Sequence, residues 1–268
     1  MEDAAAEFSG WDGRLATTLR DLVRHPGRLT HEFLEGRRVR YISPIRLYLV
    51  ASLVYFLLAA SAPTVRLESG QPVFEGLRVG ATTTKGNQPV SRAERVGNAA
   101  RQSIENQQLL TPAERDSALK DIAGAPALIR PLLRRAVEDP GGFKRRILET
   151  MPRMLFVLLP VFAGILALFY RGRKYPEHLY FAIHLHAFIF LALAMAPLAK
   201  FTRMPLLAAA VGLIAVIWIP VYATLAFRRV YGGSLSRTLM KELAIGAIYC
   251  VAAGIGFMVM IYWVSIAA

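Results

Sequence analysis

The chain has 268 residues, 54% of them hydrophobic, and a formal net charge of +13 at pH 7. The apolar excess over the ~45–50% usual in soluble domains is gathered into five blocks, which excludes an ordinary soluble globular domain. One cysteine, Cys250, excludes an intramolecular disulfide and any cysteine-based metal site within one chain. Strong positive charge raises nucleic acid as a partner, but the chain has no zinc finger, RNA-binding signature or basic heptad to support it. Most of the charge flanks the apolar blocks or sits in one long loop, which points to topology and anionic-lipid contact instead.

In chain order, residues 1–10 read as a loose tail. From Trp11 to Leu34 the apolar residues Leu15, Leu19, Leu22, Val23, Leu29, Phe33 and Leu34 recur at helical spacing, with Arg14, Arg20, Arg24 and Arg28 on the other side. Pro26-Gly27 should break this into two short helices. A basic amphipathic segment of this kind lies in a membrane interface; the alternative is a helix packed on the protein's own cytoplasmic face. Arg37, Arg38, Arg40 and Arg46 then cluster just before the first apolar block. They serve as a positive-inside anchor or, more sharply, as an anionic head-group site. The first block begins near Pro44, too late for a cleavable signal peptide, and reads as an uncleaved signal anchor.

Span 1 is expected at about Ile45–Ala62. Residues 63–150 form a polar insertion with no spanning run. Its first part, 63–89, has irregular or strand-like character, and helices are expected at 92–110, at 112–123 and at Ala127–Val137. Thr111-Pro112-Ala113-Glu114 reads as a capping box with proline at the first helical position. Asp139-Pro140-Gly141-Gly142 should end the third of these helices, and Phe143–Thr150 leads into span 2. The insertion has no histidine and no cysteine, so no convergent catalytic set is visible in it. Span 2 is expected at about Met151–Tyr170, span 3 at His178–Ala196, span 4 at Met204–Phe227 and span 5 at Leu243–Ile266. Each is long enough to cross ~30 Å of hydrocarbon. Pro160, mid-span in span 2, should kink that helix, and Pro220 lies near the cytoplasmic third of span 4. Gly246, Cys250 and Gly254 form a small-residue stripe along span 5 that suits close helix packing, internally or with a homo-oligomer or membrane partner.

Lys and Arg in the short flanks number seven before span 1, three in the 2–3 turn and four in the 4–5 loop, against two in the 3–4 turn and none after span 5. This bias puts the amino terminus in the cytoplasm, the carboxyl terminus outside and the 63–150 insertion outside. Lys144, Arg145 and Arg146 run against it, unless an interfacial helix at 143–150 lets them reach lipid phosphates.

Span 3 carries the candidate functional residues Glu177, His178, His184 and His186, because ionisable groups inside a hydrocarbon-spanning helix are costly. His184 and His186 are about 200° apart around a helix, and no i,i+4 histidine pair exists, so a chelating site would need ligands from other spans. Cys250, Tyr222, Tyr249 and Glu242 are the candidates for that. Glu177, Tyr180 and His184 share one face, and His178 and His186 roughly share another. The readings open for these histidines are interhelical hydrogen bonding, a substrate or proton path, a metal or cofactor site, and catalysis.

Leu19 to Ser52, LRDLVRHPGRLTHEFLEGRRVRYISPIRLYLVAS, resembles the signature segment of an uncharacterised bacterial membrane family, number 3667 among the domains of unknown function. The family's usual Gly-Lys-Arg stands here as Gly36-Arg37-Arg38. YPEHLYFAIHLHAFIFL, with Glu177-His178 and His184-Leu185-His186, is similar to the family's second recurring block. Many members carry an amino-terminal zinc ribbon, which these residues lack, so contacts that depend on it are not expected. The resemblance implies an integral inner-membrane protein and brings no known activity.

The expectation is an all-α membrane protein with five transmembrane helices, an amino-terminal interfacial amphipathic helix at 1–43, span 1 at 44–62, a mostly helical extracytoplasmic insertion at 63–150, and spans 2–5 at 151–268. No cofactor and no bound metal are expected. The expected function is non-enzymatic, in envelope organisation or in small-solute or lipid handling. The alternatives are a proton-coupled transporter or channel using the span 3 histidines, and a lipid-modifying enzyme.

Overall fold

Helix is the only regular structure among the described residues, which are 2–61, 112–127 and 129–267 of a computed structural model. Side chains are described at all of these except 2–12, 112–114, 140 and 144. The expectations for 63–111, and with them the helix at 92–110 and the Thr111 cap, lie outside the described residues.

The helices are α1 (Glu2–Arg24), α2 (Arg28–Leu34), α3 (Pro44–Ser61), α4 (Pro112–Ile122), α5 (Arg130–Glu138), α6 (Pro140–Phe169), α7 (Tyr175–Lys200), α8 (Pro205–Tyr231) and α9 (Leu235–Ile266). Five of them, α3 and α6 to α9, are long and apolar enough to cross a membrane. The protein is therefore all-α with five candidate spans. Their outer faces are apolar: Ile45, Leu49, Leu53 and Leu57, one helical turn apart on α3, are all exposed. In water such surface would be a liability; against acyl chains it is the ordinary solution.

Several boundaries differ from the sequence expectation, each for a local reason. The expected loose tail is helical from Glu2, in keeping with its run of alanine and glutamate and the acidic residues at its start. Asp139 does not only end α5. Its Oδ1 accepts the Gly142 N–H at 2.8 Å, an N-cap that opens α6 eleven residues before the expected Met151. Pro140 is tolerated there because the first-turn N–H groups have no intrahelical partner. Span 5 likewise opens at Leu235, once Gly232 and Gly233, both at positive φ, have turned the chain out of α8. Arg237 and Lys241 thus lie on a helix rather than in a loop.

The chain divides into two compact units. Among the described residues the first comprises α1 to α3, α6 from Leu159, α7, α8 and α9 to Cys250. At its centre is α7, over half of whose central stretch is buried, and which packs against α1, α2, α3 and α8. Rings fill the seams: Phe188 stacks on Tyr222 of α8 with centroids 3.4 Å apart, and Phe190 meets Tyr48 of α3 edge-on at 5.5 Å. The second unit comprises α4, α5, α6 to Leu158 and α9 from Val251. Here Phe143, Met260, Val264 and Ala136 form a buried cluster flanked by Ile147 and Met151.

Among the described residues the small-residue stripe on α9 meets no close neighbour. A Cβ added to Gly246 or Gly254 would meet no atom within 4 Å, and Cys250 is exposed. The reason is that α9 is the least buried of the five long helices, at 11% of its central window.

Candidate functional site

The amino-terminal helices form a platform tied to the bundle by polar bonds. Leu22, Leu29 and Phe33 are buried within the protein, so the apolar face of α1 and α2 rests largely on α7 and α8 rather than on lipid. Gly27 makes the turn between the helices at φ 72°, where it comes close to the backbone of Ala226 on α8. The Tyr222 hydroxyl donates to the Leu22 carbonyl at 2.6 Å, and Arg229 donates to the Pro26 carbonyl at 2.9 Å. The chain leaving the platform is held too. Tyr41 donates to Asp21 at 2.9 Å, and the Ile42 N–H donates to the Thr18 hydroxyl at 3.1 Å. Burial, and then the bond to Asp21, hold the Tyr41 hydroxyl above its ordinary range, so it stays a donor.

The four candidate arginines separate by role. Arg37 pairs with Glu32 at 2.6 Å and with Glu35. That hydrogen bond holds the Glu32 carboxyl below the usual carboxylate range, and Arg37 is internally compensated. Arg38 donates to the Phe33 carbonyl at 3.2 Å and lies 5.5 Å from the Tyr180 ring centroid. Arg40 and Arg46 are exposed. So are Arg20 and Arg24, on the polar side of α1.

On α7 the candidate residues go to different neighbours. Glu177 sits in the first turn, where its carboxylate takes an ion pair from Arg173 at 3.1 Å and faces the Lys174 N–H at 3.5 Å. This is the returning half of a capping box. His178 is fully buried, and its Nδ1 lies 2.9 Å from the Tyr231 hydroxyl of α8. His184 is 3% exposed; its Nδ1 lies 3.0 Å from the Thr30 hydroxyl of α2, and its ring meets Phe33 edge-on at 5.1 Å. His186 is 7% exposed, with Nδ1 2.8 Å from the Ala182 carbonyl and Nε2 2.9 Å from the Tyr249 hydroxyl of α9. A carbonyl only accepts, so Nδ1 of His186 carries the proton. In the neutral ring Nε2 must then accept from Tyr249. Both ring nitrogens are satisfied without a metal.

Two ring nitrogens on α7, Nε2 of His178 and Nε2 of His184, are buried with no hydrogen-bond partner among the described residues. His184 and Thr30 line a small cavity of about 10 Å³ with Gly27, Tyr222 and Ala226, a volume that matches about one water molecule. Among the described residues no three His, Cys, Asp or Glu side chains come together in a way that would hold a metal ion. Neither described cavity is lined by Glu177, His178 or the arginines of 37–46.

Of the three residues expected on one face of α7, Tyr180 and His184 both meet Phe33 of α2, while Glu177 pairs with Arg173. Thr30, Tyr231, Asp21 and Tyr41 were not singled out in the sequence, since each is an ordinary residue until its partner is known. A further pair, Thr224 with Glu242 at 2.5 Å, joins α8 to α9. Residues 12–56 match the model of a family described as protein of unknown function (DUF3667). Neither a curated protein nor a solved structure matches the chain. The DUF3667 segment thus covers α1 from residue 12, α2 and most of α3. The histidine that it meets through Thr30 lies outside the match.

The His186–Tyr249 bond is the cleanest interhelical pair to test. Tyr249→Phe removes the donor and keeps the ring, and should lower unfolding stability in micelles by about 1 kcal/mol, the usual scale for a hydrogen bond between membrane helices. An unchanged unfolding midpoint would mean that the bond does not hold α7 to α9.

Proposed function

We propose that this is an integral membrane protein of the bacterial cytoplasmic membrane that acts without enzymatic chemistry, in envelope organisation, through a basic amino-terminal platform in contact with anionic lipid head groups. The supporting observation is the division of labour on α7. Its three histidines are engaged by Tyr231, Thr30 and Tyr249 of three neighbouring helices, so these residues act as fastenings. Arg20, Arg24 and Arg40, by contrast, are exposed, with no ion pair among the described residues. The seven Lys and Arg before the first span favour a cytoplasmic amino terminus, the side on which anionic lipids attract juxtamembrane cations. The DUF3667 match adds no activity of its own.

This reading is tested on the full chain in nanodiscs of phosphatidylcholine with a minor fraction of phosphatidylglycerol. Native mass spectrometry counts the phosphatidylglycerol retained. The variant Arg20→Gln/Arg24→Gln/Arg40→Gln should lose most of its preference for the anionic lipid, at about 1 kcal/mol per arginine at low salt. Equal retention by the variant and the parent would reject the platform as a lipid contact.

A further inference from the structure

The second unit holds a groove of about 510 Å³ between α5 and the last turn of α9, lined by Arg130, Arg134, Arg135, Glu138, Ser265 and Ile266 among others. We infer that this groove binds the phosphate of an anionic phospholipid head group.

Three observations carry the inference. The first is charge. Arg134 is paired with Glu138 at 2.6 Å, so one of the three cations is offset. Arg130 donates from Nε and Nη2 to the Ala125 carbonyl at 3.2 and 2.9 Å, a neutral acceptor that leaves its charge in place. Arg135 has no side-chain partner among the described residues. Two net positive charges therefore line the groove. The second is donor geometry. Guanidinium groups present planar forks that take phosphate oxygens two at a time; Arg135 has its whole fork unengaged among the described residues, and Arg130 keeps the donors of Nη1.

The third observation is depth. Trp263 is 64% exposed and Tyr262 40% exposed near the end of α9. Amphipathic rings at the end of a span settle at the head-group level. Ser265 lies two residues further on, about 3 Å along the helix axis. The groove therefore opens at the level of lipid phosphates, which favours a lipid head group over a soluble anion as the source of the phosphate.

Trp263 also supplies the readout. In the full chain carrying Trp11→Phe and Trp218→Phe it is the only tryptophan, and its quenching is measured in vesicles holding a small fraction of brominated lipid. Brominated phosphatidylglycerol should quench it more than brominated phosphatidylcholine at the same fraction. Arg130→Gln/Arg135→Gln should weaken that preference on the order of tenfold or more, and Lys120→Gln, which removes a cation from the exposed side of α4 outside the groove, should leave it unchanged. Glu138→Gln, which releases Arg134, should strengthen it roughly fivefold, a gain that misfolding cannot produce. Equal quenching by the two lipids, or a preference unaltered by Arg130→Gln/Arg135→Gln, would overturn the inference. Abolition of the preference by inorganic phosphate alone would overturn the lipid assignment in favour of a soluble anion. Because the signal is local to Trp263, it does not depend on whether Arg20, Arg24 and Arg40 contact lipid.

Discussion

Gly27→Ala should destabilise the protein by about 3 kcal/mol, a large effect for adding one methyl group. Two costs add. At φ 72° an L-residue is strained, by ~1–2 kcal/mol. The new Cβ would also lie 2.9 Å from both Cα and the carbonyl oxygen of Ala226, backbone atoms that cannot swing aside as a side-chain tip can. The nearby bonds from Tyr222 to Leu22 and from Arg229 to Pro26 would stretch with it. Gly36 supplies the control, because its φ is 83° but an added Cβ would meet nothing within 4 Å. Gly36→Ala should therefore cost only the backbone strain, about 1–2 kcal/mol. If denaturation in detergent gives the same loss for both variants, α2 does not approach α8 as closely as described.

His184→Ala should cost about 2–4 kcal/mol. The imidazole is buried against Phe33, so its removal leaves a void between α2 and α7. It also leaves the buried Thr30 hydroxyl without a partner. Thr30→Val keeps the shape and removes only the hydroxyl, so it should cost less, about 1–2 kcal/mol, as the price of an unmet ring nitrogen. The two changes share one bond, and their combination should fall short of the sum by about 0.5–2 kcal/mol. Strict additivity in the double-mutant cycle would show that the Thr30–His184 contact does not fasten the DUF3667 segment to α7. The same variants separate a fastening from a conduit. A fastening predicts that the loss appears in stability, with no solute flux in proteoliposomes for the substitution to abolish.

The fold was legible where one physical signal dominated. Five apolar blocks gave five long helices, because backbone polar groups in hydrocarbon must be satisfied within the segment. Pro26-Gly27 gave a break, since a ring without an N–H and a residue free at positive φ both interrupt a helix. The helix starts were less legible. Asp139-Pro140-Gly141-Gly142 reads equally as a stop for one helix and a start for the next, and it serves as both. The opening of α9 at Leu235 was hidden because Arg237, Lys241 and Glu242 look like loop residues until Lys241 is seen donating to the Phe169 carbonyl and Glu242 meeting Thr224. The histidines were visible as costly groups, and their angular separation was readable from helix geometry. Their partners were not, since a threonine on a short helix and a tyrosine at a helix end carry no signal until the tertiary contact exists. Arg37 and Arg40 look alike in sequence, yet carboxylates engage Arg37 and, among the described residues, none engages Arg40.

The unbroken run of α6 has one more consequence. Thirty residues from Pro140 to Phe169 make a rod of about 45 Å, against a hydrocarbon slab of ~30 Å. Arg145, Arg146 and Arg153 all lie in its first half, and all are exposed. From Met154 to Phe169 only about 24 Å of rod is free of charge, which is less than the slab is thick. Arg153 must then stretch its guanidinium outward along the rod, or the leaflet must dip to meet it. On this count α6 alone favours a thin bilayer, since the uncharged run of α8 from Pro205 to Phe227 covers about 35 Å.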